Sequence, residues 1–208
     1  MPGPEWNERY KAASDLPWDT GRPDDHLVKL VESGVVKPCK ALEVGCGTGT
    51  NSIWLAEQGF EVLGVDLAEE AVGKARVKLG DRKLNCQFQA MDFLHGHALP
   101  GGFGFVFDRG CFHVFDLDSE RDAFARNVAA QLAPGGIWFS LIGSTEGAPR
   151  EVGPPRRTAR EVVLALEPHL EIVELRSTVF DSPGREPALA WHCLSRRRQM
   201  PAQPSTRR

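Results

Sequence analysis

The chain has 208 residues, 41% of them hydrophobic, enough for one domain with a sizeable core or for a domain with a small added cap. The formal net charge is −3, and the stretch from Ala188 onward carries five arginines and no acid, so residues 1–187 hold −8 (−3 less 5), a poor match for a phosphate backbone. No apolar run approaches the ~20 residues of a membrane span, and "MPGPEWNERYK" lacks the apolar stretch of a secretory signal.

In chain order, Glu5–Ala13 reads as a short helix, and "SDLPWDTGRP", Ser14–Pro23, as a loop set by its prolines, glycine and turn formers. Asp24–Ser33 is predicted helical, with Leu27, Leu30 and Val31 on one face. Ala41–Val44 is a short apolar strand, followed by a helix from about Asn51 that stops at Gly59. "EVLGVD" is a second strand, and Ala68–Leu79 a helix with Ala68, Ala71, Val72, Ala75 and Leu79 in one stripe. "LNCQFQA" and "FGFVFD" are the third and fourth strands. Asp118 and Ser119 can cap a helix that runs to Leu132 and is ended by "APGG". "IWFSLI" is a fifth strand, Gly143–Arg157 a loop, and Thr158 opens a helix to about Glu167. "LEIVELRSTVF" and "ALAWHCLS" alternate as strands around "DSPGREP", which predicts an antiparallel hairpin.

The order βαβαβαβαβαββ predicts an α/β fold: a doubly wound, mostly parallel sheet, helices on both faces and one reversed strand near an edge. The boundaries are 1–36 for an N-terminal cap and first helix, 37–195 for the core and 196–208 for a basic, flexible tail. That tail could touch an anion or a nucleic acid, but its composition fits a solvated end better. Five cysteines, at 39, 46, 86, 111 and 193, lie far apart with no CxxC pair. They read as the reduced thiols of a cytoplasmic protein, not as a disulfide frame or a zinc site.

"LEVGCGTGT", Leu42–Thr50, is the stretch that carries chemistry. Ligands of open α/β sheets bind at the carboxyl ends of strands, and Gly45 and Gly47 let the backbone turn sharply and lie against one. The helix that follows points free N–H groups at the same place. A dinucleotide fingerprint is GxGxxG, whereas the spacing here is GxGxG, with Thr50 where the third dinucleotide glycine would stand. Asp66 ends the next strand and can accept both hydroxyls of a ribose, which suits any adenosine ligand. Glu43 discriminates. Beside a pyrophosphate a buried carboxylate is repulsive; beside a sulfonium and an α-amino group it is attractive. The plain alternative for Glu43 is an exposed edge position. Asp92, in "AMDF", could accept from an adenine amine; the plain alternative is a turn cap.

"LEVGCGTGTNSIWLAEQGFEVLGVDLAEEAVGKA", then "QAMDF", "FDRG" and "LAPGG", resemble the successive motifs of class I S-adenosylmethionine-dependent methyltransferases over roughly residues 38–142. The resemblance implies a seven-stranded sheet of order 3-2-1-4-5-7-6 with strand 7 antiparallel, and S-adenosyl-L-methionine as cofactor. It places Gly45, Gly47 and Asp66 at the cofactor, with their neighbours Cys46, Thr50, Asn51 and Leu67. Asp92 and Phe93 would flank the adenine, and Asp108–Cys111 the methionine and methyl group.

Methyl transfer is an in-line displacement on an already activated carbon, so positioning in a dry site supplies most of the acceleration. A base is needed only for a nucleophile of high pKa. "DRGC", Asp108–Cys111, stands where amino methyltransferases often carry [DN]PP[YF], and no acid cluster for a catechol-type metal site can be assembled. "LPWDTGRP" resembles the cap of the thiopurine, thiol/halide and tellurite-resistance type methyltransferases, with Trp18 and Gly21 matching their Trp-x-x-Gly. An aromatic lid over a sulfonium excludes water and offers a cation–π contact; the plain alternative for Trp18 is packing on the sheet edge. Arg22 can reach the cofactor carboxylate or an anionic acceptor. His113 could take a proton from the acceptor, or be structural. Cys111 and Cys46 could bind a soft metalloid, or simply pack. Phe93, Phe112 and Phe115 are expected to make the acceptor pocket apolar.

The resulting expectation is a cytoplasmic, metal-independent methyltransferase of a small molecule, acting at sulfur or another soft nucleophile. The alternatives are an O- or N-methyltransferase of an apolar metabolite, an NAD-dependent oxidoreductase, and a non-catalytic cofactor-binding module.

Overall fold

The structure is a computed structural model that describes residues 3–12, 16–96, 99–148, 155–180 and 186–198. Seven strands form one sheet in the order β3-β2-β1-β4-β5-β7-β6. They are β1 Lys40–Val44, β2 Glu61–Asp66, β3 Cys86–Ala90, β4 Phe103–Arg109, β5 Leu132–Gly143, β6 Leu170–Val179 and β7 Leu189–Arg197. β7 runs antiparallel to both β5 and β6, and every other pairing is parallel. The strand order is thus the expected one, with the order of strand addition reversing between the parallel neighbours β1 and β4. The helices are α1 Gly3–Ala12, α2 Asp25–Glu32, α3 Thr50–Glu57, α4 Glu69–Leu79, α5 Asp118–Gln131 and α6 Ala159–Leu166.

The two faces of the sheet bury separate cores. On one, Leu27 and Leu30 of α2, Ile53 and Leu55 of α3 and Val72 of α4 cover Phe105, Phe107 and Phe139. Those three rings form a stacked row at 6.4 and 5.4 Å between centroids. On the other, Phe124 and Val128 of α5 and Val162 and Leu166 of α6 cover Val106, Trp138 and Ile142. The alternation of Phe105, Val106 and Phe107 between the two cores is the period-2 pattern of a central strand buried on both sides. Burial of this kind stabilises by about 25 cal/mol per Å² of apolar surface.

Three boundaries differ from the sequence reading. Leu117, not Asp118, precedes the first residue of α5, and its N–H is accepted by Glu120 at 3.3 Å. β5 begins at Leu132, five residues before Ile137, because Leu132 pairs with Phe103 and the intervening "APGG" forms a bulge. Gly136 permits that bulge, since a Cβ there would stand 2.8 Å from the Phe103 carbonyl oxygen. The basic tail begins later than expected: Arg196 and Arg197 lie within β7. Arg196 pairs with both oxygens of Glu171 on β6, at 2.9 and 2.8 Å, and Arg197 donates to the Leu132 carbonyl. A neighbouring acid and a backbone carbonyl within reach draw these arginines into the sheet. The rest of the expected tail, from 199, lies outside the described residues, as do the hairpin tip at 181–185 and positions 149–154 of the Gly143–Arg157 loop. No helix among the described residues is long and apolar enough to cross a membrane.

Candidate functional site

The backbone leaves β1 at Val44, and the N–H groups of Gly45 and Cys46 both donate to the Val65 carbonyl of β2, at 2.8 and 3.0 Å. The turn is therefore hung from the neighbouring strand. Gly45, Gly47 and Gly49 all have positive φ, at 71°, 53° and 77°. A Cβ on Gly45 would stand 2.9 Å from the Cys111 Cβ, and one on Gly47 would stand 2.9 Å from the Tyr10 hydroxyl. Gly49 serves packing instead: a Cβ there would strike the Phe88 ring at 2.5 Å and Ala75 at 2.9 Å. It seats the start of α3 against β3 and α4. Asp66, at the end of β2, clamps the turn, accepting from Gly47 N at 2.8 Å and from Ala68 N at 2.9 Å. Burial raises its pKa, and those N–H groups oppose the rise.

Glu43 lies in a strand paired on both sides and is 1% exposed, which excludes the edge alternative. Its carboxylate accepts from Asn51 Nδ2 at 3.0 Å and from the Ser52 hydroxyl. Burial pushes its pKa up to about 7 against the pull of those bonds. The Asn51 side-chain oxygen accepts from Asp24 N at 3.0 Å, tying the start of α2 to the same group.

The N-terminal segment covers the turn. α1 lies on α4, with Asn7 accepting from Glu70 N at 3.1 Å and Lys74 donating to the Tyr10 carbonyl. Trp18 Nε1 donates to the Tyr10 hydroxyl at 3.1 Å, and the Trp6 and Trp18 rings meet edge-on at 5.8 Å. Asp19 accepts from the Thr48 hydroxyl at 2.8 Å, and Lys78 bonds Thr50 at 2.7 Å and lies 3.9 Å from Asp19. From the end of β4, Arg109 donates to Asp24 at 2.7 Å and to the Trp18 carbonyl at 3.3 Å.

Between this cover and the turn lies an open cleft, about 470 Å³ of space between the atoms that includes open solvent. Of the residues singled out in the sequence, Trp18, Arg22, Glu43, Gly45, Cys46, Gly47, Thr50 and Asn51 line it together. Arg109, from the expected Asp108–Cys111 stretch, lines it too, as do Tyr10, Asp19, Thr20 and Thr48, which were not singled out. The signals of those four were faint: an aromatic in a short terminal helix and three polar loop residues.

Several expected residues are engaged elsewhere. Asp92 caps its own turn, accepting from Leu94 N at 2.8 Å and His95 N at 3.0 Å. Leu67, half-buried, follows Asp66 without lining the cleft. Asp108 is fully buried and accepts from Cys111 N, Phe112 N and Trp138 Nε1 at 3.1, 3.0 and 3.0 Å. Burial pushes its pKa up to about 6. Cys111 packs against Gly45, and burial, then the Asp108 charge, pushes its thiol well above the usual range. Burial does the same to Cys46, so neither offers a thiolate. His113 Nδ1 accepts from Gly143 N at 2.7 Å, which in the neutral ring leaves the proton on Nε2. The expected apolar pocket of Phe93, Phe112 and Phe115 is corrected. All three rings converge on Phe124, at 5.1, 5.8 and 5.5 Å, because α5 offers them a core to join.

Comparison with known proteins bears on this geometry. A family model described as a methyltransferase domain matches residues 41–136, from β1 into the bulge of β5. A 2-heptyl-1-hydroxyquinolin-4(1H)-one methyltransferase of Mycobacteroides abscessus is 30% identical over 176 residues, covering 83% of this chain and 74% of the relative. The chain belongs to the class I S-adenosylmethionine-dependent methyltransferases. This methyltransferase is also similar to a probable thiol methyltransferase 2 of Arabidopsis thaliana, 27% identical over 89% of this chain and 83% of the relative. Its fold matches the N-methyltransferase NodS of Bradyrhizobium japonicum WM9, solved with S-adenosyl-L-homocysteine. That match has a TM-score of 0.75 at 20% identity, covering 95% of this chain and 99% of that one. The methyltransferase uses S-adenosyl-L-methionine as cofactor. The cleft fits such a group: two glycines whose Cβ atoms would close it, a buried acid and aromatic cover.

Proposed function

We propose that this small-molecule methyltransferase acts at sulfur, on a thiol that reaches the cleft between the glycine turn and the N-terminal cover. The carrying observation is that the described acids lining the cleft are already engaged. Glu43 is bonded by Asn51 and Ser52, and Asp19 by Thr48. His113 and Asp108 are turned to internal partners. Such a site suits a nucleophile that needs no strong base, and a thiol, with a pKa of about 8.5, is the commonest one. The similarity to a probable thiol methyltransferase over most of both chains supports the same reading.

In this reading Gly45 and Gly47 lay bare backbone against the cofactor. Asp66 takes the ribose hydroxyls, since a carboxylate has about four acceptor sites and the backbone donors on this one are Gly47, Leu67 and Ala68. Trp18 offers a half-buried aromatic face to a cation, and residues 16–23 keep water out. Bound S-adenosyl-L-methionine supplies the activated methyl group. His113 and Cys111 act as supports of the turn after β4, not as base or nucleophile.

A second reading, an acidic hydroxyl on an apolar heterocycle, is favoured by the relative that acts on 2-heptyl-1-hydroxyquinolin-4(1H)-one. Both are tested by following S-adenosyl-L-homocysteine release with 4-nitrothiophenol, iodide and 1-hydroxyquinolin-4(1H)-one as acceptors. The sulfur reading expects kcat/KM at least tenfold higher for the thiol; a preference for the hydroxyl compound replaces it with the second.

A further inference from the structure

We propose that Asp24 and Arg109 are a positioning pair that holds the N-terminal cover shut and slows the release of S-adenosyl compounds. The inference rests on the reading of residues 16–23 as that cover.

Arg109 ends β4, whose backbone is fixed by pairing with β5 at Leu141. Its side chain is 11% exposed and that of Asp24 is 1% exposed, so solvent screens their 2.7 Å contact weakly. The guanidinium also donates to the Trp18 carbonyl at 3.3 Å and lies 5.3 Å from the centre of the Phe180 ring. The Asp24 side chain accepts from His26 N at 2.9 Å at the start of α2, while its backbone N–H meets Asn51, which bonds Glu43. One chain of contacts thus runs from the Trp18 carbonyl through Arg109, Asp24 and Asn51 to Glu43. It joins the cover, the end of β4 and the strand that leads into the glycine turn.

A buried ion pair is a weak source of stability, because desolvation offsets its attraction, whereas it can fix the relation of the parts it joins. The cover is also held toward α1 and α4, where Trp18 meets Tyr10 and Trp6 and Leu16 packs with Tyr10 and Ala68. On the opposite side of the cleft, residues 16–23 are tied through Asp19 to Thr48 and Lys78. The pair adds the tie on the β4 side, and a loop held on both sides of a cleft opens less often than one held on a single side. The fold has its own anchors on this side, Leu27 and Leu30 of α2 in the core. Opening of the cover and global stability are therefore separable.

The experiment is stopped-flow measurement of S-adenosyl-L-homocysteine association and dissociation, with thermal melts of the same proteins. Arg109→Gln should release the product analogue at least tenfold faster, with association changed less than threefold. Arg109→Lys should fall between it and wild type, because an ammonium can meet Asp24 but lacks the fork that also reaches the Trp18 carbonyl. Asp24→Asn combined with Arg109→Gln should release no more than twofold faster than Arg109→Gln alone, since both changes remove the same tie. Wild-type release rates in folded Arg109→Gln, or additive effects in the double variant, overturn the proposal. If Arg109→Gln does not fold, Arg109→Lys and Asp24→Asn decide it: release by both at the wild-type rate overturns it. A wild-type protein that does not bind the analogue at all overturns the reading of the cleft itself, and the pair's role with it.

Discussion

The Trp18 indole nitrogen donates to the Tyr10 hydroxyl at 3.1 Å, and that hydroxyl stands only 2.9 Å from where a Cβ on Gly47 would be. The cover and the glycine turn thus meet through two residues of the cover and the absence of a third side chain. Trp18 is half-buried, with a wall of the cleft on one side, whereas a core indole such as Trp138 is fully enclosed. Trp18→Ala should therefore lower cofactor affinity and turnover while changing stability modestly. Trp138→Ala should cost about 3–5 kcal/mol and leave a buried carboxylate, Asp108, without one of its donors. Unfolding curves beside calorimetric titration of S-adenosyl-L-homocysteine separate the two. Strong destabilisation by Trp18→Ala with normal affinity would remove the cover from the account.

Gly47 and Gly49 of the turn should respond differently to alanine. Gly47→Ala brings strain at φ 53° and a clash with the Tyr10 hydroxyl, so S-adenosyl-L-homocysteine should bind at least tenfold more weakly. Gly49→Ala drives a methyl into the Phe88 ring and Ala75, and should destabilise the fold by roughly 2–4 kcal/mol, overpacking and left-handed strain combined. Melting and binding measured on both variants check the contrast. A normal melting temperature for Gly49→Ala would contradict the packing role.

Glu43 makes stability depend on pH. Its pKa rises from the usual 4.5 to about 7 in the fold, through burial first. The folded chain thus holds a proton that the unfolded chain gives up across that window. Stability therefore falls as pH rises from 4.5 to 7 and levels off above. Asp108, raised to about 6, acts in the same sense, and His192, lowered by burial to about 4, in the opposite one. Both remain in Glu43→Gln, so the difference between that variant and wild type isolates Glu43. Urea unfolding at pH 5 and pH 7.5 should show the difference moving against wild type by at most about 3 kcal/mol. A pH-independent difference would mean that Glu43 stays ionised throughout.

The end of the chain divides within the basic run. Removal of residues 199–208 should leave the melting temperature unchanged, since their composition offers few apolar groups to bury. Removal from Arg196 onward should lower it, because the fork on Glu171 and the bond to the Leu132 carbonyl go with it. Scanning calorimetry on the two truncations distinguishes them; equal melting temperatures would show that the strand ends before Arg196.

What the sequence alone determined is what local chemistry encodes. The alternating pattern, the turn formers and the two-sided hydrophobic strands specify an α/β sheet, and the motif order beginning at Glu43 specifies its strand order and cofactor class. Eight of the named residues line one cleft because glycine turn, helix start and proline-bracketed loop each carry a signal in their own neighbourhood. Tertiary structure decided the rest, because it depended on partners far along the chain. Arg109 reaches Asp24 across 85 positions, Lys78 reaches Thr50 across 28, and α1 places Tyr10 over a turn 37 residues ahead (47 less 10). The sequence showed that Phe112 and Phe115 were aromatic and that His113 and Asp108 were ionisable. Only the packing of α5 sent those rings to Phe124, and only the approach of Gly143 and Trp138 engaged the ionisable groups. A side chain's direction follows from which competing partner is within reach, and that is a property of the folded chain.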